Sequence, residues 1–431
     1  MKVRCSMNFQ KSFWISIFLL FSFLSTSLYG KLSSSEFSRA KRKFYAAIQR
    51  KMDNEAKDAI QTLASDNSSR AAKVLLAYRV ITAPISTPVY YAILAGLASM
   101  DSEDAVKFMA RKLKGGKWPQ KVAVATVFGR MNDPLSARAL IEALRDRYPP
   151  VITTAIQSIA RRKLKDAIEP LIGLVKKYEK QKGLLWLEAR QGLTNITGED
   201  FLKAELWEKW WSINKATFDP HKKKGNKKTA TVEKKGPRFF TEQIISKRIV
   251  FVIDISGSMQ AEDPPTEKGG GGVRIKRAKD ELIKVIKSLS RKVKFNIIAY
   301  STKVKSWQKG RLVYASRRAK VSAIKWVSTL KADGLTRTDE ALKEAFKSLE
   351  ANAIYLLTDG VPTKADQKRM QAVLIQPKKI MEQVRQMNRF RKVRIYTMGF
   401  AEEAKKPNGK IFVEFLKALA KDNGGRFSPI H

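Results

Sequence analysis

The chain has 431 residues, 44% hydrophobic and 29% charged, with 84 Lys and Arg against 40 Asp and Glu, a formal net charge of +44. That length accommodates two or three domains with ordinary apolar cores, and the single cysteine, Cys5, excludes a disulfide-built fold. Only two histidines are present, His221 and His431, which removes most Ser-His, Cys-His and His-metal chemistry.

In chain order, Lys2, Arg4 and Lys11 precede an apolar run from Phe13 to Leu24, and the small residues Ser25, Thr26 and Ser27 follow. This pattern predicts a secretory signal over residues 1–30, too short and too poorly flanked for a membrane span. The chain is therefore expected to be exported, periplasmic or extracellular, or held at a membrane if the signal stays uncut. No later segment is apolar enough to cross a bilayer.

Residues 31–217 predict an all-α unit. Gly and Pro are sparse, and apolar residues recur at three- and four-residue spacing. Leu113, Leu144 and Val175 hold one register, as do Met109, Leu140 and Leu171, at an offset of about 31 residues, the length of two helices and two turns. Such a period marks a helical solenoid. Gly129 to Pro134 followed by Ala139 to Leu144 resembles short HEAT-type repeats. Trp207, Trp210 and Trp211 are expected to cap the helical core rather than stack on a ligand. Residues 218–243 read as a basic, flexible linker, with like charges crowded between His221 and Arg238.

Residues 244–431 alternate strand and helix. Strands are predicted at 249–254, 294–300, 353–358 and 393–399, and helices near 274–290, 317–331, 338–349, 378–391 and 411–422, which implies a parallel, doubly wound, Rossmann-like α/β sheet. The glycines Gly269 to Gly272 lack a following Gly-Lys-Ser/Thr, so they read as a flexible loop rather than a phosphate cradle.

The chemistry gathers where predicted strands end. The apolar run Ile249 to Ile253 leads into Asp254-Ile255-Ser256-Gly257-Ser258, which places a carboxylate and two hydroxyls on one loop. Open α/β sheets bind ligands at the carboxyl ends of their strands, and hard oxygen donors suit a small hard cation such as Mg²⁺. A second apolar strand ends in Asp359-Gly360, and between the two lies Asp333-Gly334-Leu335-Thr336-Arg337-Thr338. Asp-x-Ser-x-Ser, a Gly-x-Thr loop and Thr-Asp-Gly in this order resemble the metal-ion-dependent adhesion site of the von Willebrand factor type A family. The resemblance covers roughly residues 244–430 and implies a divalent cation, Mg²⁺ or Mn²⁺, held by Asp254, Ser256, Ser258, Thr336 and Asp359. Leu335 departs from a glycine that many members carry. Thr338 is the rival for the Thr336 role, but Thr336 stands at the family's spacing, five residues before Ala341-Leu342.

The two placed aspartates are thereby committed to a cation, and no general base offers itself, so no enzyme activity is expected. The resemblance implies a vacant cation position that takes a Glu or Asp side chain of a protein partner. The reading is an exported protein-binding adaptor with a helical repeat scaffold. The alternative is a basic protein that binds polyanions or anionic envelope components through charge, with a structural metal site. A specific nucleic-acid role is not expected.

Overall fold

The computed structural model describes residues 31–222, 237–265, 271–366 and 371–431. The expected signal over 1–30 and most of the charged run expected as linker, 223–236, lie outside the described residues, as do Gly269 and Gly270.

Residues 34–214 are helical, as the spacing predicts. Helices Glu103–Gly115 and Trp118–Phe128 pack as a pair, followed by Pro134–Ala143 with Pro149–Arg162 and by Ile168–Tyr178 with Leu184–Thr197. The second members of these pairs stack in a continuous row. Two glycines permit that row. A Cβ on Gly129 would lie 2.7 Å from the Ser158 Cβ, and one on Gly192 would lie 2.7 Å from the Ile156 Cγ2. The register residues Met109, Leu140 and Leu171, and likewise Leu113, Leu144 and Val175, are all buried in one core. Local capping sets helix starts: Asp133 accepts hydrogen bonds from the backbone N–H groups of Leu135 (2.9 Å) and Ser136 (3.0 Å), with Pro134 in the first turn. The tryptophans close the end of this core. Trp207 is fully buried, and Trp210 and Trp211 pack on Phe218.

The α/β unit opens with a hairpin, β1 (Arg238–Phe239) and β2 (Glu242–Gln243). The central sheet contains β3 (Arg248–Asp254), β6 (Lys294–Tyr300), β7 (Val304–Ser306), β8 (Val313–Tyr314), β9 (Ala353–Thr358), β12 (Arg394–Phe400) and β13 (Phe427–Ile430), in the order β13-β12-β9-β3-β6-β7 with β8 also on β6. Two small antiparallel ladders lie outside it: β4 (Glu262–Asp263) with β5 (Gly272–Val273), and β10 (Thr363–Asp366) with β11 (Gln371–Leu374). The sheet is mixed, not wholly parallel as the sequence predicts. β13-β12-β9-β3-β6 are parallel, but β7 and β8 run antiparallel to β6. These edge strands are two and three residues long, too short to register as strands against the charged turns around them.

Alternate residues of β3 enter opposite layers. Ile249, Phe251 and Ile253 face a core with helices Arg274–Ser288 and Arg317–Ser328. Val250 and Val252 face a core with Thr338–Lys347, Pro377–Asn388 and Gly409–Asp422. Burial on both faces explains the unbroken apolar runs.

Packed structure also reaches into the segment expected as a flexible linker over 218–243. Phe218 belongs to the helical core, Phe239 is fully buried in the α/β core, and Glu242 pairs with Arg426 at 2.6 Å. The apolar rings at its two ends make the difference. The two units are docked as well. Arg394 at the amino end of β12 donates to Glu188 (3.0 and 2.6 Å) and to Gln191 (3.0 Å) of the helical unit. Arg389 donates to the Ile85 carbonyl at 2.7 Å and covers the Tyr90 ring. Phe390 meets Tyr90 and Trp118 edge-on, and Glu382 accepts from the Thr87 N–H at 3.0 Å.

Candidate metal centre

Parallel pairing brings Asp254 and Thr358 to the same end of the sheet, because Ile253 on β3 is in register with Leu357 on β9. Thr358 donates to Asp254 Oδ2 at 2.7 Å, and the Ser256 N–H donates to Oδ1 at 2.8 Å. The loop then turns Ser256 and Ser258 together, their hydroxyls 3.1 Å apart. Ser258 Oγ donates to Asp359 Oδ1 at 2.7 Å. Four of the five residues that the sequence singles out, Asp254, Ser256, Ser258 and Asp359, thus form one hydrogen-bonded cluster. Asp254 and Asp359 are fully buried.

Thr336, the fifth, sits on a loop strapped to both of the others. The Gly257 N–H donates to the Gly334 carbonyl at 2.9 Å, and the Thr336 carbonyl accepts from the Thr363 N–H at 2.9 Å. Gly334 adopts φ +80°, in the left-handed region, and a Cβ there would collide with the Thr302 hydroxyl. Thr338 is fully buried beside Tyr300, at the end of β6, whose buried hydroxyl faces Thr338 and Thr358; among the described residues neither hydroxyl makes a hydrogen bond of good geometry.

Burial pushes the Asp254 carboxyl up to about 7, with the charge of Asp359 adding to the shift and hydrogen bonds from Ser256 and Thr358 opposing it. Asp359 is also raised, by burial first, although Ser258 and Arg274 pull it down. Two buried carboxylates flanked by neutral hydroxyls form an all-oxygen, net-negative donor set, which fits a small hard divalent ion. Among the described residues no group of three or more His, Cys, Asp and Glu side chains is arranged to hold a metal, so any cation here depends on the hydroxyls.

Sequence reasoning missed Arg274. Its buried guanidinium donates to Asp359 Oδ2 at 3.0 Å, to Asp263 Oδ1 at 2.8 and 2.6 Å, and to Glu403. It leaves Asp359 Oδ1 toward Ser258 and supplies fixed positive charge behind the cluster. No local pattern announces this residue. It opens a helix after β5 and meets Glu403 from 129 positions away.

A doubly wound sheet with an acid-and-hydroxyl cluster on three loops at its carboxyl ends defines an open α/β binding domain. Residues 247–428 match the von Willebrand factor type A domain, and this unit is a domain of that family. The human inter-alpha-trypsin inhibitor heavy chain H1 is 30% identical over 208 residues, covering 45% of this chain and 20% of the relative. Human von Willebrand factor A domain-containing protein 3A is 27% identical over 194 residues, covering 44% of this chain and 14% of the relative. A solved von Willebrand factor type A structure from Catenulispora acidiphila is 20% identical, covers 43% of this chain and 39% of that one, and has a TM-score of 0.32. The chain spans a fifth or less of the length of these two curated relatives.

Proposed function

We propose that this chain is an exported, non-enzymatic protein-binding adaptor whose von Willebrand factor type A domain holds Mg²⁺ or Mn²⁺ through Asp254, Ser256, Ser258, Thr336 and Asp359, and through that ion binds a carboxylate of a partner protein. The observation that carries the reading is the 2.7–3.1 Å cluster of Asp254, Ser256, Ser258 and Asp359, built from two distant loops. When bound, the ion supplies Lewis-acid attraction for one more oxygen ligand. The chain's own residues set the strength of that attraction. Three of the five donors are neutral hydroxyls, and Arg274 already balances part of the charge on Asp359, so little anionic charge is left to neutralise the ion. The strongly basic surface favours approach of an acidic segment. The stacked helices offer a second, extended surface for the scaffold role.

Calorimetry with Mg²⁺ and Mn²⁺ tests the centre. One saturable site in the native chain, absent in Asp254→Ala, is expected, and no divalent binding by the native chain overturns the reading. Capture of a partner from an envelope extract should be abolished by chelator. Capture that ignores chelator and collapses with salt would favour simple charge attraction.

A further inference from the structure

A second charged site lies at the opposite pole of the sheet, where the two domains meet. A cavity of about 290 Å³ opens there, and six cationic but only two acidic side chains line it. Both acids are already taken: Glu188 pairs with Arg394, and Asp422 pairs with Arg385 at 2.6 Å. Arg389 is spent on the carbonyls of Ile81, Ala83 and Ile85. Arg130, Arg161 and Lys392 remain, with no ion pair or side-chain hydrogen bond among the described residues.

These three cations come from both domains. Arg130 follows helix Trp118–Phe128, and Arg161 lies in the last turn of helix Pro149–Arg162. Lys392 lies in the turn before β12, with its backbone in the left-handed region at φ +55°. A bulky non-glycine residue in that conformation costs free energy, which its surroundings must offset. The three also oppose one another. Burial pushes the Lys392 amine down to about 8, with Arg161 adding to the shift and Glu188 opposing it; burial and then Arg161 likewise depress Arg130. Arg130 and Arg161 are exposed at the opening and Lys392 is half-buried beside them, so three like charges converge where an anion could meet all of them.

We propose that this interdomain cavity binds a small phosphate-bearing molecule, clamped by Arg130 and Arg161 from the helical unit and Lys392 from the α/β unit. Guanidinium forks match phosphate oxygens two at a time, and a dianion answers several cations at once. Tyr91, exposed on the wall, can pack against the remainder of such a molecule. The volume suits a small molecule rather than a polymer. The ligand would join the two domains, so it would also stabilise their docking. This site is independent of the metal centre.

The test is titration of the full chain with inorganic pyrophosphate, followed by calorimetry, with chelator present so that the metal centre takes no part. The native chain is expected to bind at one saturable site. The double variant Arg130→Gln/Arg161→Gln should weaken binding at least about tenfold, roughly the loss of one charge-assisted contact. Among the described residues neither guanidinium makes a hydrogen bond or ion pair, and a matching thermal transition without ligand would show that the variant is folded. Lys41→Gln, at an exposed helix position outside the cavity lining, should bind like the native chain. Absence of saturable heat up to about 10 mM, or equal losses in Lys41→Gln and the cavity variant, overturns the proposal.

Discussion

The two ends of the central sheet carry opposite problems of charge. At the carboxyl ends of β3 and β9, buried acids stand among hydroxyls, a donor set for a cation. At the amino end of β12, arginines and a lysine face a cleft, a set suited to an anion. The same strand serves both poles: Arg394 pairs with Glu188 at one end, and Phe400 lies under Arg274 at the other, 5.4 Å from ring to guanidinium. A net charge of +44 says nothing of this division. What distinguishes the poles is which charges already have partners inside the fold.

Removing an internal partner should break the comparison most strongly. Arg274→Ala leaves Asp263, Asp359 and Glu403 facing one another without their shared guanidinium. The expected loss is about 3–5 kcal/mol of stability, read by chemical denaturation of the isolated variant. A loss under about 1 kcal/mol would mean that solvent compensates the acids and that the acidic pole is less closed than its burial indicates.

The seam comes next. Cleavage of the chain between Lys222 and Pro237 should leave two fragments that co-elute in gel filtration, held by Glu188–Arg394 and by Phe390. Glu188→Ala combined with Phe390→Ala should release them, at a cost of about 2–4 kcal/mol to docking. Separate elution of the native fragments would show that the seam needs the covalent connection.

A smaller effect separates the two threonines. Thr336→Ala should weaken Mn²⁺ binding about tenfold, the loss of one ligand oxygen, whereas Thr338→Ala should change it about twofold or less. Calorimetry decides, and the reverse order would move the ligand role to the buried Thr338 hydroxyl. Smallest of all, neutralising single exposed lysines near the loops should alter the association rate of an acidic partner and its salt dependence, with little change in dissociation, as stopped-flow mixing would report.

Much of this was legible in the sequence because it is local. Runs such as Ile249–Ile253 and Ala353–Leu357 are apolar on both faces and locate the central strands within a residue. Asp254, Ser256 and Ser258 follow one of them directly, so their shared loop could be read from spacing alone. Leu113, Leu144 and Val175 revealed the helical stacking because one period repeats in the core. What stayed hidden is long-range. Arg274 finds Asp359 and Glu403 only after the chain has folded, and neither its neighbours nor its helix position indicates that it is buried. The pairing of Glu188 with Arg394 spans 206 residues and depends on how two domains meet. The edge strands β7 and β8 escaped notice because their few residues carry no alternation long enough to count.

The run of β12 between the poles has a mechanical consequence. A partner tugging on the loops at the carboxyl end of the sheet, while the helical unit is held, would draw β12 along its own axis. Its hydrogen bonds to β9 and β13 lie across that direction and would share the load in shear, rather than opening one after another. The Arg394–Glu188 contact has no such ladder behind it. Under tension the molecule should therefore yield first between its domains, with the sheet and the site it carries still intact.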